Sequence, residues 1–168
     1  TPGLGGTALW TTLVVATGGV TMLGAAWRAI QETDLKRILA YSTVGSLGTL
    51  MVLFGVGTTP SIAAALAYLV AHGCYKGALF LLAGIIDHAA GTRDITQLRG
   101  LRRVMPVSAI IGALAAASMA GLPPWLGFVA KEQSYTAVLG QPLWPFVLSV
   151  VLVGSGALLG TAGLLAGV

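Results

Sequence analysis

The stretch Tyr68-Leu-Val-Ala-His72-Gly-Cys-Tyr-Lys76-Gly-Ala-Leu-Phe-Leu-Leu-Ala-Gly84 decides how the chain is read. It is apolar, of membrane-spanning character, and carries an imidazole and an ammonium four residues apart. At helical spacing His72 and Lys76 share one face, with Tyr68 a turn further back on it. Leaving a lysine in hydrocarbon costs roughly 2.5–3.5 kcal/mol on insertion scales. A chain that keeps one there must pair it, hydrate it or use it.

Composition sets the class around that stretch. Of 168 residues 56% are hydrophobic and only 8% charged, against about 25% charged in a soluble domain. The 24 glycines suit helices whose backbones approach closely in lipid. A soluble helical core would show polar faces that most segments here lack. The expected fold is all-α, a polytopic transmembrane helix bundle in a lipid bilayer. The net charge of +4 gives no case for nucleic acid, because the basic residues flank the spans, where topology alone puts them. Cys74, the single cysteine, excludes an internal disulfide and reads as a small packing residue. The chain opens on Thr1-Pro2, shows no signal peptide and closes on the uncharged run Thr161 to Val168, so it is expected to be a piece of a longer protein.

Taken in order, a first span is expected from about Thr7 to Trp27, followed by a polar knot from Arg28 to Arg37. A second runs from about Leu35 or Ile38 to Val56, a turn follows at Gly57-Thr-Thr-Pro60, and a third runs from about Ser61 to Ile86. Asp87 to Met105 reads as one long hydrophilic connection. Pro106 starts a fourth helix that halts at Gly121-Leu-Pro-Pro124, and a second segment, about Trp125 to Leu139, carries Lys131-Glu132. Gln141 to Pro145 turns the chain into a last span, about Leu143 to Gly167. The segments flanking Gly-Leu-Pro-Pro can be two spans or one interrupted span. The second is short and polar, which favours one discontinuous helix and about five crossings. The loops around 28–37 and 87–105 then share a side, which the positive-inside rule makes cytoplasmic. Residues 57–60 and 140–145 fall on the other side.

The polar positions each have a functional and a plain reading. His72 and Lys76, with Tyr68 on the same face, suit a proton wire, since histidine titrates near neutrality. The plain alternative is a snorkelling lysine and a packing histidine, but Lys76 sits about ten residues, roughly 15 Å, from the segment's cytoplasmic end. Lys131 stands just after a break where prolines cannot donate, and broken helices mark transporter ion sites. Glu132 is the candidate partner that tunes it. Lys36, beside Arg37, Asp34 and Glu32 at a span boundary, reads more simply as a boundary cation. Ser42, Thr43 and Ser46 either line a polar path or bond to their own helix. Asp87-His88 and Arg93-Asp94 read as loop ordering, because one histidine and two aspartates at that spacing make no metal site. No nucleotide, haem or redox-cofactor pattern is present.

Three ordered motifs resemble a known family. They are Thr33-Asp-Leu-Lys-Arg-Ile-Leu-Ala-Tyr-Ser-Thr43, His72-Gly-Cys-Tyr-Lys76-Gly-Ala-Leu-Phe80 and Gly121-Leu-Pro-Pro-Trp-Leu-Gly-Phe-Val-Ala-Lys-Glu132. They resemble the proton-translocating antiporter-like subunits shared by respiratory complex I, membrane-bound hydrogenases and Mrp-type cation/proton antiporters. Ile85-Ile-Asp-His88 followed by Gly91-Thr-Arg-Asp94 is most similar to the large A-type subunit of Mrp Na+/H+ antiporters. The resemblance implies inverted repeats of about five helices, each with a broken helix, of which residues 1–168 look like the second. It implies a central-axis role for Lys76, with His72 as partner, and a proton-exchange role for Lys131. Tyr68 stands where complex I subunits often carry another histidine, leaving a Tyr-His-Lys series. Glu132, Tyr68 and Lys36 are candidates for supporting roles.

The function implied is a proton-conducting subunit of a multi-subunit cation (Na+)/H+ antiporter in a prokaryotic inner membrane, with other membrane subunits as partners. The rival from the enzyme class is a non-redox membrane subunit of a proton-pumping NADH:quinone oxidoreductase or hydrogenase. The rival from the interaction class is an inert membrane scaffold. Neighbouring genes separate the first two, and lysine substitutions test the third.

Overall fold

Two β-type backbone hydrogen bonds and one glycine pair, Gly18 with Gly48, set the arrangement of described residues that are otherwise mostly helical. The computed structural model describes residues 7–98 and 101–139. Its helices are α1 (Ala8–Gln31), α2 (Leu35–Val56), α3 (Thr59–Ala90), α4 (Leu101–Val104), α5 (Pro106–Ala120) and α6 (Leu126–Leu139). No strand occurs among the described residues. α1, α2 and α3 are each long and apolar enough to cross a membrane. The chain is an all-α membrane helix bundle. The turn at 140–145 and the span at 143–167 expected from the sequence lie outside the described residues.

Local chemistry fixes the helix ends. The Asp34 carboxylate accepts from the amides of Lys36 (2.8 Å) and Arg37 (3.2 Å) and starts α2, satisfying donors that a helix N-terminus leaves open. Gly57, at φ 69°, ends α2, and Thr58 with Pro60 starts α3 at once, so the turn between them is short. α1 continues through Arg28 to Gln31, leaving residues 32–34 as the whole α1–α2 turn. α3 is also longer than the hydropathy alone indicates: it runs past Ile86 to Ala90 and is closed by Gly91 at φ 67°. Asp87 and His88 therefore belong to its last turn and not to a loop, because only at Gly91 does the chain take the left-handed conformation that stops a helix.

α1 and α2 pack backbone to backbone. A Cβ added to Gly48 would lie 2.7 Å from the Gly18 carbonyl oxygen, and one added to Gly18 would lie 2.9 Å from that of Gly48. The glycines permit this approach, as small residues do between helices in lipid. Outward faces keep their apolar side chains, among them Leu13, Val20, Leu66, Val70 and Leu81, as membrane-facing surfaces require. Cys74 belongs to this outward set and is exposed, so it does not pack between the described helices.

α5 and α6 follow one another along α3. Gly112 of α5 meets Leu82, near the end of α3, whereas Tyr135 of α6 comes into electrostatic range of Tyr68, nearer its start. The two short helices thus run in the same direction past α3, the course expected of a single interrupted helix. Between them Gly121 has φ 81°, and the Pro123–Pro124 bond is cis. At the break the helices overlap: a Cβ on Gly127 would fall on the carbonyl of Ser118.

The other end of the α2–α3 pair is clasped. The Leu35 amide donates to the Arg93 carbonyl (2.9 Å) and the Ile95 amide to that of Thr33 (3.0 Å), pairing Asp34 with Asp94. The polar knot and the segment after α3, placed on one side from charge, are in direct contact.

Candidate functional site

Lys76 lies at the middle of α3 and is 5% exposed. Its ammonium donates to the Leu39 carbonyl oxygen at 3.0 Å and to the Ser42 hydroxyl, both on α2. Among the described residues no carboxylate pairs with it. The Ser42 and Thr43 hydroxyls also donate to the Leu39 carbonyl, at 2.9 and 2.8 Å. One carbonyl thus gathers three side-chain donors. The Ser46 hydroxyl donates to the Ser42 carbonyl at 3.0 Å and accepts from the Tyr68 hydroxyl at 3.2 Å. The two readings of these hydroxyls therefore coexist: they bond to their own helix and also receive polar groups from α3.

His72 is buried one turn before Lys76, stacked on Tyr68 with ring centroids 6.3 Å apart. Its Nδ1 lies 3.2 Å from the Tyr75 hydroxyl, and the two rings meet edge to face at 5.4 Å. Tyr75 is buried too. Sequence reasoning passed over it as part of an apolar run, although its i+3 spacing from His72 places both on one helix face. The Leu39 carbonyl has no sequence signal at all, since any residue supplies one.

Toward the clasp the interface turns apolar. From Lys76 to Asp87 α3 presents Leu79, Leu82, Ala83 and Ile86, and α2 presents Leu35, Ile38 and Leu39, all buried. Eleven residues of helix separate the two polar groups, about 16 Å at helical rise. Beyond lies a separate charged cluster. Lys36 Nζ bonds Asp87 Oδ2 at 2.8 Å, and Arg93 Nε lies 3.6 Å from Asp87 Oδ1 and 3.9 Å from Asp34 Oδ2. Arg37 approaches Glu32 at 3.7 Å. Lys36 is thus placed in the clasp and away from Lys76. Outside the helices, the Thr96 hydroxyl (2.8 Å) and its amide (3.0 Å) bond Asp94 Oδ1 and hold that carboxyl below the usual range.

Lys131, half-buried on α6, reaches back across the break and donates to the Ala120 carbonyl at 2.9 Å. The Gly121 amide takes the carbonyls of Ala117 and Ser118, and the Leu122 amide that of Ala117, so Lys131 caps a carbonyl the broken helix leaves open. Glu132 is exposed and makes no ion pair with Lys131 among the described residues. Adjacent helical positions point about 100° apart, so the two side chains diverge. The structure brings Tyr68, His72 and Lys76 together, sets Lys131 at the break, and brings neither Lys36 nor Glu132 to them.

Residues 6–157 match the family described as NADH:quinone oxidoreductase/Mrp antiporter, TM. The chain belongs to that family. Within it, the A-type subunit of the Na+/H+ antiporter of Alkalihalophilus pseudofirmus is 44% identical over 153 residues, covering 83% of this chain and 19% of that protein. The A/B-type subunit of a probable K+/H+ antiporter of Rhizobium meliloti is 42% identical over 138 residues, covering 82% and 14%. The Mrp complex of Dietzia sp. superposes with a TM-score of 0.89 at 39% identity, over 96% of this chain and 18% of that one. An archaeal membrane-bound sulfane sulfur reductase shares the fold, with a TM-score of 0.82 at 22% identity over 90% and 31%. This chain of the NADH:quinone oxidoreductase/Mrp antiporter family therefore spans about a fifth or less of the antiporter relatives it matches.

Proposed function

We propose that the chain is the second inverted repeat of a proton-conducting membrane subunit in a multi-subunit cation/H+ antiporter, and that Lys76, His72 and Lys131 pass the protons. The carrying observation is the bonding of Lys76. A buried ammonium kept only for structure is ordinarily paired with an acid. Lys76 instead rests on a carbonyl and a hydroxyl, neutral partners that it can leave at lower cost than an ion pair. An ammonium has three donors, and among the described residues two of them are bonded, which suits a group that passes a proton on. Names of relatives support the cation/proton assignment, and they include both Na+ and K+.

Protons reach Lys76 through Tyr68 and His72, while the apolar interface toward Asp87 seals the opposite direction. The clasped end carries Arg37, Lys36 and Arg93, and is the cytoplasmic end by the positive-inside rule. In the complete complex in everted membrane vesicles, Lys76→Ala and Lys131→Ala are each expected to reduce cation-driven proton exchange to background, with Na+ and with K+. Wild-type rates in both variants would overturn the relay in favour of a scaffold.

A further inference from the structure

The relay rests on His72, yet His72 and Lys76 make no hydrogen bond to each other although they sit one turn apart. The imidazole's bond is to Tyr75, 3.2 Å from Nδ1. Tyr75 also lies in interaction range of Tyr68 and Ser46, the pair that leads back through the Ser42 carbonyl to the Lys76 site. The other groups around the ring are Tyr68 stacked on it and Lys76 on the same helix. α2 brings the hydroxyls of Ser42 and Ser46 to Lys76 and Tyr68 and packs its half-buried Tyr41 against the same core, and α6 brings Tyr135 toward Tyr68. No carboxylate is bonded to the ring among the described residues.

We infer that Tyr75 is a positioning residue for His72: its hydroxyl engages Nδ1 and leaves Nε2 as the nitrogen that exchanges protons. The two ring nitrogens of histidine are distinct, and the bond made by one decides the duty of the other. Tyr75 supplies that bond from within the same helix, so the imidazole's orientation does not depend on a contact with α2 or α6. Its edge-to-face contact with the ring limits rotation as well. This inference deepens the proposed relay and rests on it.

A double-mutant cycle in the complete antiporter complex tests it, with exchange measured across pH in vesicles that contain matched amounts of complex. Tyr75→Phe keeps the ring and removes the hydroxyl, and is expected to lower exchange roughly five-fold, the worth of one neutral hydrogen bond, and to displace the pH of half-maximal exchange. Added to His72→Ala it is expected to cause no further loss. Wild-type rate and pH profile in Tyr75→Phe, with His72→Ala impaired, would overturn the positioning role alone. Losses that multiply in the double variant would also overturn it, since Tyr75 would then act independently of His72. A wild-type rate in His72→Ala would overturn the relay through His72 itself. Should Tyr75→Phe fail to assemble, 3,5-difluorotyrosine at position 75 preserves shape and hydroxyl while strengthening the donor. A displaced pH profile then supports the role, and an unchanged one overturns it.

Discussion

Gly121 is the residue at which one added methyl group meets two obstacles at once. Its φ of 81° is one an L side chain resists, and a Cβ there would lie 2.7 Å from Lys131 Cδ. Left-handed backbone costs an ordinary residue roughly 1–2 kcal/mol. Gly121→Ala is therefore expected to lower stability by about that amount in thermal unfolding of the solubilised protein, and to lower exchange more than a stability loss explains, because the Lys131 ammonium is pushed off the Ala120 carbonyl. An exchange rate equal to wild type would show that this capping bond has no part in transport. At this scale the sequence was legible where charge stood out against an apolar run, as at Lys76 and Lys131. It was illegible where the partner is a backbone carbonyl: Leu39 and Ala120 hold the two lysines, and neither side chain says so. Glu132 is the nearest acid in sequence, yet among the described residues it makes no ion pair with Lys131, and the carbonyl end of α5 supplies the negative partner. That helix end carries a partial negative charge of its own.

At the scale of elements, α1 and α2 depend on the Gly18–Gly48 crossing. Gly48→Ala places a Cβ 2.7 Å from one backbone oxygen and 2.8 Å from the Met22 amide nitrogen, atoms that cannot swing aside as a side chain can. Overpacking of this kind costs typically 1–3 kcal/mol, and denaturation in mixed detergents is expected to show a loss in that range. The clasp between α2 and α3 responds to pH. Asp94 has its carboxyl held below the ordinary 3.8 by Thr96. A depressed carboxyl contributes stability that is present above its unfolded value and lost as pH falls through the folded one. The clasp should thus be intact at neutral pH and loosen below about pH 3.8. Exchange of the Leu35 and Ile95 amides, corrected for intrinsic rates, should rise there in the wild type and already at neutral pH in Asp94→Ala. Helix identity was legible from hydropathy and from Pro106, Gly57 and Gly121. Helix length was less so, because Arg28 and Asp87 look like boundary residues, and only cap geometry shows that α1 and α3 continue through them.

For the whole molecule, the charged knot and the segment after α3 share one end of the bundle, as the pattern of basic residues required. With that end cytoplasmic, a cysteine placed at Thr96 in a Cys74→Ala background is expected to react with a membrane-impermeant maleimide in everted vesicles and not in right-side-out cells. The reverse pattern would invert the proposed topology. Because the chain spans about a fifth or less of the antiporter relatives it matches, the lysine variants report on transport only inside the complete assembly. One contact made far from the lysines governs how they can move. Residues 33–95 are closed at one end by the tight turn at Gly57 and at the other by the Leu35–Arg93 and Ile95–Thr33 bonds, so α2 and α3 form a ring without a covalent link. A ring fastened at both ends resists sliding of one limb along the other. A shift of helix against helix is thereby opposed as a way for Lys76 to leave the Leu39 carbonyl. A swing of its own four-carbon arm leaves that frame in place, and makes the arm the moving part.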